Sequence, residues 1–220
     1  MTDKPSIILV HGFWGGAAHW SKVIVELARR GHTALQAVEL PLTSLANDAE
    51  RTRKMIAQQA GPVLLVGHSY GGAVITQAGN QPNVVGLVYI AAFAPDAGES
   101  PGGITAKHPP AGAANLAPDS DGYLWVKPDK YHESFCQDLT QKAPLASTFA
   151  DEISAPAWKK KPSWYQISSE DRMIDPANQE WMSGRLGAKK VITLKASHAS
   201  LASMPREVAA LIEEAAAATT

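Results

Sequence analysis

The chain of 220 residues is long enough to bury a large core, and its length favours one domain over two. Its 20 Lys and Arg residues nearly balance 21 Asp and Glu residues, which leaves no broad charged field to attract nucleic acid or an anionic membrane. A small, mostly neutral ligand fits this balance better. No apolar stretch approaches the roughly 18 residues that span a bilayer, and the single cysteine, Cys136, cannot form an internal disulfide. Because the start lacks a basic and apolar leader, we expect a cytoplasmic protein.

The first part of the chain alternates short apolar runs with helical stripes. Ser6 to Val10 is a continuous apolar run typical of a buried strand, and it ends at His11-Gly12. After a glycine-rich loop, apolar residues recur at helical spacing from Trp20 to Ala28. Thr33 to Leu40 then predicts a second strand, and a helical stripe follows from Leu45 to Ala60.

The run Val63 to Val66 stops abruptly at the sequence Gly67-His68-Ser69-Tyr70-Gly71-Gly72, which has the pattern G-x-S-x-G followed by one more glycine. Four apolar residues suit a strand buried on both faces, and the glycines suit a turn too tight for side chains. Such a turn can hold Ser69 on a strained corner between a strand and a helix, with its hydroxyl exposed. A Gly/Ser turn that merely ends a strand is the alternative, because short matches to this pattern arise by chance.

The alternation of strands and helices continues after this turn. Ala73 to Ala78 continues as a helix, and Val84 to Phe93 is the next buried strand. Strands that are apolar throughout and alternate with helices predict an α/β fold, in which a mostly parallel sheet carries helices on both faces. Ligands of such sheets bind at the carboxyl ends of the strands.

The segment from Pro95 to Pro162 breaks this alternation. It is rich in proline and glycine, yet it also carries aromatic residues such as Tyr123, Trp125 and Phe149. We therefore expect one domain over residues 1–220, with an irregular, partly helical cap inserted at about 95–162 that folds over the sheet edge and lines a pocket. A surface excursion that its aromatic residues merely anchor is the alternative.

Two later strands end in residues that could activate a serine. Ser163 to Ser168 predicts a strand followed by Asp171, and Val191 to Leu194 predicts the last strand, followed by His198. A serine hydroxyl needs a base to take its proton, usually a histidine held by a carboxylate. The chain order Ser69, Asp171, His198 is the order expected after an elbow serine on this kind of sheet. Since each residue follows a parallel strand, we expect the three to meet at one edge.

The identity of the acid is the most open part of this prediction. Glu170 and Asp175 flank Asp171, and Asp96 follows a different strand whose end faces the same edge. Asp175 is typical of a helix N-cap, because Pro176 comes next. Asp171 is preferred for its place in the turn, and Asp96 remains a plausible substitute.

Acyl transfer also requires two donors for the negative charge that develops on the carbonyl oxygen. We expect the backbone N–H of Tyr70 to supply one and the N–H of Phe13, in the glycine loop after the first strand, to supply the other. A plain strand-to-helix turn is the alternative. Trp14 and Trp125 are expected to line the substrate pocket together with other aromatic residues.

With these residues in view, the chain resembles the α/β-hydrolase superfamily over essentially its whole length. Within it, the chain is most similar to small bacterial esterase-like proteins related to plant methyl esterases and hydroxynitrile lyases. This nearer resemblance rests on His11-Gly12 with Trp20 downstream, and on His198 followed by Leu201, Ser203 and Pro205. The resemblance implies a Ser-His-Asp hydrolase with a cap over an apolar pocket and no cofactor.

The resemblance also bears on the choice of reaction. The related lyases carry a lysine directly after the histidine and a threonine after the first strand's histidine, whereas this chain has Ala199 and Gly12. Cyanohydrin cleavage is therefore disfavoured. Cofactor-free oxygenation, known from another branch of the fold, stays open on the triad alone.

Carboxylic ester hydrolysis of a small, largely apolar substrate is the leading prediction, and a non-catalytic ligand-binding protein on the same fold is the competing class. The seven histidines show no H-E-x-x-H or similar metal-binding spacing, and no nucleotide-binding pattern is present. We expect a small ester as the partner, with no nucleic acid and no membrane. The oligomeric state stays open, with a homodimer as one option.

Overall fold

The computed structural model describes residues 4–135 and 141–219 and is built around a parallel sheet of six strands. These strands are β1 (Ser6–Val10), β2 (Leu35–Val38), β3 (Val63–His68), β4 (Val84–Ile90), β7 (Ser163–Ser168) and β8 (Lys190–Leu194). Their order in the sheet is β2-β1-β3-β4-β7-β8, and every neighbouring pair is parallel. The carboxyl ends of all six strands therefore lie at one edge of the sheet.

Helices cover both faces of this sheet because successive side chains of a strand point to opposite faces and both sets are apolar. In β1, for example, Ile8 and Val10 pack into one hydrophobic core, while Ile7 and Leu9 pack into the other. Helices α2 (Leu45–Ala57), α3 (Tyr70–Ala78) and α6 (Pro176–Arg185) belong to the first core, and α1 (Ser21–Arg29) and α8 (Pro205–Ala217) belong to the second. The predicted α/β architecture is confirmed.

Two strands are shorter than the sequence pattern predicts. Thr33 to Leu40 was expected as a strand, but only Leu35–Val38 pairs, because its neighbour β1 ends at Val10, opposite Val38. Val84 to Phe93 was expected as another, but β4 ends at Ile90 and Ala91 turns the chain with a φ of 42°. Apolar content alone does not show where a partner strand stops.

The segment between β4 and β7 is irregular and lies outside the parallel sheet. It contains two short helices, α4 (Pro101–Thr105) and α5 (Tyr131–Ser134), several 3₁₀ turns, and an antiparallel hairpin of β5 (Leu116–Pro118) and β6 (Leu124–Val126). The sequence pattern did not predict this hairpin, because three-residue strands are too short to show alternation. Cys136 lies outside the described residues.

Several hydrogen bonds tie this cap to the rest of the molecule. The Tyr131 hydroxyl donates to the Trp14 carbonyl at 2.9 Å, and the Asn178 side chain in α6 donates to the His108 carbonyl at 2.9 Å. The backbone N–H of Leu145 donates to the Leu42 carbonyl at 2.9 Å. The cap therefore covers the sheet edge as an attached layer.

The helices of the described chain are short. The longest, α2 and α8, contain 13 residues each. Over residues 4–135 and 141–219, no helix combines the length and the apolar character needed to cross a bilayer.

A short helix, α7 (Ser200–Ser203), lies between β8 and α8. It directly follows the loop that carries His198, and its first residue, Ser200, is buried. The Ser200 hydroxyl donates to the side chain of Gln166 in β7 at 2.7 Å. This bond attaches the histidine loop to the sheet.

Candidate active site

Ser69 lies at the junction where β3 passes directly into α3. Its backbone has a φ of 56° and a ψ of −125°, in a region that residues other than glycine rarely adopt and that costs about 1–3 kcal/mol. Three hydrogen bonds hold this corner: the Ser69 N–H donates to the Ile90 carbonyl at 3.2 Å, and the Ser69 carbonyl accepts from the N–H groups of Gly72 and Phe93, each at 3.0 Å. The strained turn is the one predicted, but Ser69 is only 3% exposed because the cap covers it.

His198 and Asp171 form a buried pair at the same edge of the sheet. Asp171 follows β7 and His198 follows the adjacent parallel strand β8, so both leave the sheet on one side. His198 Nδ1 lies 2.7 Å from Asp171 Oδ2, and both side chains are fully buried. Because a carboxylate oxygen accepts, we assign the proton to Nδ1 and the free lone pair to Nε2. Nε2 has no hydrogen-bond partner among the described residues.

Four donors fix the direction of the Asp171 carboxylate. Oδ1 accepts from the backbone N–H groups of Met173 at 2.7 Å and Ile174 at 2.9 Å. Oδ2 accepts from the Gln179 side chain at 2.8 Å as well as from His198. Gln179 is fully buried in α6 and also donates to the Ile174 carbonyl at 2.8 Å. The acid is therefore held in place independently of the histidine.

The other acidic candidates lie elsewhere. Asp96 pairs with Lys159 at 2.5 Å, and both side chains are partly exposed. Asp175 caps α6, as predicted, by accepting from the backbone N–H of Ala177 at 2.9 Å. Glu170 is exposed. The structure brings Asp171, and none of these three residues, to His198.

His68 links the serine turn to the histidine loop. It precedes Ser69 in the chain, its Nε2 donates to the His198 carbonyl at 2.8 Å, and the two imidazole rings lie 4.8 Å apart. Complete burial, together with the neighbouring His198, holds the pKa of His68 well below its usual value. His68 is therefore neutral and serves to fix the backbone on which His198 is carried.

Two backbone N–H groups beside Ser69 are available to bind an anion. Tyr70 is the first residue of α3, so its N–H has no acceptor inside the helix, and it lies at the positive end of the helix dipole. Phe13 lies in the loop after β1, and its N–H also donates no hydrogen bond within the described chain. A Cβ atom placed on Gly12 would lie 2.5 Å from Ser69 Cβ and 2.9 Å from Ser69 Oγ. The loop therefore lies directly against the serine.

His11 supports this loop from the end of β1. Its Nδ1 donates to the Gly12 carbonyl at 2.8 Å, and its Nε2 accepts from the Leu40 N–H at 3.0 Å. Burial lowers the pKa of His11 to about 4, so the ring is neutral near pH 7. The ring connects the loops that follow β1 and β2.

The sequence matches the model of the alpha/beta hydrolase family over residues 7–211. The chain belongs to the alpha/beta hydrolase family. It is 28% identical to alpha/beta hydrolase nvfD of Aspergillus novofumigatus over 97% of each chain, and 26% identical to methylesterase 7 of Arabidopsis thaliana over 96% of each. The crystal structure of the pyrethroid hydrolase PytH matches with a TM-score of 0.85 over 98% of each chain, at 22% identity. The resemblance to α/β hydrolases and plant methyl esterases is confirmed.

A small apolar cavity lies beside Ser69 in this hydrolase. Its volume is about 30 Å³, which leaves room for only a few water molecules, since one needs about 10–15 Å³. Ser69 and Thr105 are the two polar residues in its wall, and no charged residue lines it. The remaining lining residues are apolar: Phe13, Trp14, Phe93, Pro110, Ala113, Leu116, Phe149, Met173 and Ile174.

The two tryptophans predicted for the pocket have different positions. Trp14 lines the cavity, and its indole donates to the Leu124 carbonyl at 2.7 Å. The predicted pocket role of Trp125 does not agree with the structure. Trp125 lies on β6 of the cap hairpin, is 39% exposed and donates to Asp119 at 2.7 Å. It faces outward because the turn that Asp119 stabilises holds the indole at the surface.

Several lining residues of this hydrolase were not predicted as such. Met173 and Ile174 come after Asp171 with only Arg172 between, so the path of the chain after the acid was an available signal. Phe93 likewise follows β4 at the ligand-binding edge. Thr105 belongs to the cap, whose irregular backbone offers no periodic pattern from which to place it. Phe149, one of the cap aromatic residues expected near the serine, does line the cavity.

Proposed function

We propose that this protein is a serine hydrolase that cleaves a small, uncharged and largely apolar carboxylic ester. The observation that carries the proposal is the buried His198–Asp171 pair at the sheet edge where the strained Ser69 turn ends. A non-catalytic binding protein has no need of a carboxylate-held histidine beside a serine on such a corner. The relative named methylesterase 7 supports ester chemistry.

In the proposed reaction, Ser69 Oγ attacks the ester carbonyl while His198 Nε2 takes its proton. Asp171 holds the ring through Nδ1 and stabilises the imidazolium that forms. The N–H groups of Phe13 and Tyr70 bind the oxyanion. His198 then protonates the departing alcohol, and water, activated by the same nitrogen, releases the acid from Ser69.

Ser69 Oγ and His198 Nε2 do not form a hydrogen bond in this structure. Contacts between a nucleophile and its base are often long without substrate and shorten when the substrate binds. The small cavity also indicates that the site changes when substrate binds, because an ester larger than a few atoms requires Trp14, Phe149 or another part of the cap to move.

A fluorophosphonate probe tests the proposal directly. We expect the probe to modify Ser69 with a stoichiometry of one, detected by intact mass and peptide mapping, and to abolish hydrolysis of a nitrophenyl ester. A protein that binds esters without reacting would remain unlabelled. Labelling of another residue, or turnover that survives complete labelling, would contradict the proposal.

The apolar cavity predicts discrimination against charged esters. We expect nitrophenyl butyrate to have a kcat/KM at least about 100-fold higher than a nitrophenyl ester of similar length that ends in a carboxylate, because no lining group can pair with a buried charge. Steady-state kinetics on the two esters measure this ratio. Equal values would show that the substrate does not bind in this cavity.

Gly12→Ala is expected to lower kcat by about 10²-fold. Its methyl group would lie 2.5 Å from Ser69 Cβ and 2.9 Å from the His68 carbonyl oxygen, so the loop that carries Phe13 has to shift. Ester turnover at saturation and thermal unfolding separate lost catalysis from lost folding. Gly61→Ala is the matched control, because a Cβ at Gly61 meets no atom within 4 Å. A kcat within twofold of wild type for Gly12→Ala would contradict the proposed oxyanion hole.

A further inference from the structure

Asp48 is a buried carboxylate for which the proposed reaction has no direct use. It lies in α2 and is fully buried. Oδ1 accepts from the backbone N–H of Leu42 at 2.8 Å, and Oδ2 accepts from the Tyr70 hydroxyl at 2.8 Å. In the described chain, the partners of these two oxygens are the Leu42 N–H and the Tyr70 hydroxyl, and neither is a cation. A carboxylate in such a place is costly, so its two partners indicate what it does.

The first partner, Tyr70, directly follows Ser69 and carries one of the two N–H groups of the proposed oxyanion hole. Its ring stacks on the ring of Phe13, which carries the other, with centroids 4.0 Å apart and planes inclined by 13°. Burial, together with Asp48, raises the pKa of Tyr70 well above its usual value, so the hydroxyl stays protonated and donates. The side chains of the two donor residues are thus in contact, and Asp48 holds the end of that stack.

The second partner, Leu42, is itself in an unusual conformation. Its φ of 61° places a non-glycine residue in the left-handed region, and its carbonyl accepts from Leu145 of the cap at 2.9 Å. Asp48 therefore joins three elements: its own helix, the loop after β2 and the first residue of α3.

We infer that Asp48 is a positioning residue that fixes the oxyanion hole, because its bond to the Tyr70 hydroxyl holds the Tyr70–Phe13 stack in place. This role rests on the proposed function. It differs from a purely structural role in that loss of the bond has to change the reaction rate of the folded enzyme.

The ionisation of Asp48 favours a functional role. Burial raises its pKa from 3.8 to about 6, against the lowering effects of the Leu42 N–H, the Tyr70 hydroxyl and Lys142, while Asp151 raises it further. Since the folded protein holds this proton more tightly than the unfolded chain, the contribution of Asp48 to stability is greatest below pH 3.8 and declines as the pH rises to about 6. At pH 8 the ionised side chain lowers the free energy of unfolding, whereas an uncharged amide of the same shape would not. A carboxylate at this position is therefore not explained by stability, which favours a functional role.

Tyr70→Phe tests the inference, because it keeps the ring stack and removes only the hydroxyl. We expect kcat for nitrophenyl butyrate to fall about 10-fold with KM changed less than about threefold, and binding of a trifluoromethyl ketone, which forms a tetrahedral adduct, to weaken by the same factor as kcat. Counting reactive sites with the fluorophosphonate probe corrects for misfolded protein. Tyr89→Phe is the matched control, since Tyr89 is fully buried and its hydroxyl bonds to Thr76 at 2.9 Å.

Asp48→Asn supplies the second variant. We expect a lower kcat than wild type, together with a melting temperature that rises relative to wild type between pH 4 and pH 8. In Asp48→Asn the amide oxygen has to stay on the Leu42 N–H, so the amide NH₂ faces the Tyr70 hydroxyl, which then accepts instead of donating. Combined with Tyr70→Phe, Asp48→Asn should cost no more than the worse single change, because both alter the same hydrogen bond.

The outcomes separate this inference from the proposed function. If the wild type neither reacts with the probe nor turns over esters, the proposed function fails and the role of Asp48 fails with it. If the wild type is active but Tyr70→Phe and Asp48→Asn keep its kcat and its affinity for the ketone, the role of Asp48 is overturned alone. A lower melting temperature with unchanged kcat per reactive site would likewise make the bond purely structural.

Discussion

Ser69→Ala is expected to lower kcat for nitrophenyl butyrate by at least about 10⁴-fold, to the level that binding and the oxyanion donors alone provide. The change removes only Oγ, which makes no hydrogen bond to a described residue, so the fold should be retained. The measurement is turnover at saturating ester, with the burst of nitrophenol as a second signal. The burst should disappear because no acyl-enzyme can form.

A second substitution at this position separates chemistry from backbone strain. Ser69→Gly also lacks the nucleophile, but glycine adopts a φ of 56° without a Cβ penalty. We expect it to be as inactive as Ser69→Ala and more stable than it by about 1 kcal/mol in the free energy of unfolding. Ser183→Ala removes another buried hydroxyl, which donates to the Glu180 carbonyl at 2.9 Å, and should leave turnover unchanged. Retained turnover in both Ser69 variants would mean that another group is the nucleophile.

The sequence was sufficient to place the strand ends that carry the candidate site. The apolar runs before Ser69 and before His11-Gly12 are continuous, and Asp171 and His198 follow two further runs of the same kind. In a parallel sheet, residues that follow strands meet at one edge even when they are far apart in the chain. This rule needs only strand order and direction, which is why four separate stretches could be combined without a structure.

The residues that support this site could not be predicted from strand order and direction. Gln179 and Asp48 are polar residues on buried helix faces, and nothing in a local pattern shows that each contacts a site residue from another element. Trp125 shows the opposite error. An aromatic residue in an irregular segment was expected to line the pocket, whereas a local bond to Asp119 keeps it at the surface. Contacts between non-periodic segments depend on tertiary packing, which short-range spacing does not encode.

The supporting contacts divide the site into two halves that are held separately. Gln179 and two backbone N–H groups fix Asp171 and, through it, the ring of His198. On the other side of Ser69, Asp48 holds Tyr70 and His11 holds the loop at Gly12. Buried polar groups therefore hold the catalytic groups in place on both sides of the proposed nucleophile. Donors and bases that are preorganised in this way need no rearrangement during the reaction.

Asp171→Asn is expected to lower kcat by about 10⁴-fold, which is the effect of replacing the triad aspartate by asparagine in a serine protease. Oδ1 accepts two backbone N–H groups, from Met173 and Ile174, so the amide oxygen has to occupy that position. The amide NH₂ then faces His198 Nδ1, which has to accept instead of donate. The ring proton moves to Nε2, and Nε2 can no longer take the proton of Ser69.

The same geometry predicts a cost in stability. The NH₂ group of the substituted residue also faces the Gln179 side chain, which cannot turn around because its oxygen accepts from the Ser168 N–H at 3.0 Å. We expect the free energy of unfolding to fall by about 1–3 kcal/mol, as for a buried donor that loses its acceptor. Chemical denaturation measures this loss, and the kinetics should be run well below the melting temperature of the variant.

Asp96→Asn provides the decisive comparison for the acid. Asp96 pairs with Lys159 where both side chains are partly exposed, so its replacement should change kcat by less than about twofold. If Asp96→Asn reduced kcat severely while Asp171→Asn did not, the 2.7 Å contact between Asp171 and His198 would have no catalytic importance and the proposed mechanism would be wrong. If both variants stayed active, His198 would act without a carboxylate partner, and four hydrogen bonds would serve only to hold a loop. We expect neither result, because no other carboxylate in the described chain reaches the buried ring of His198.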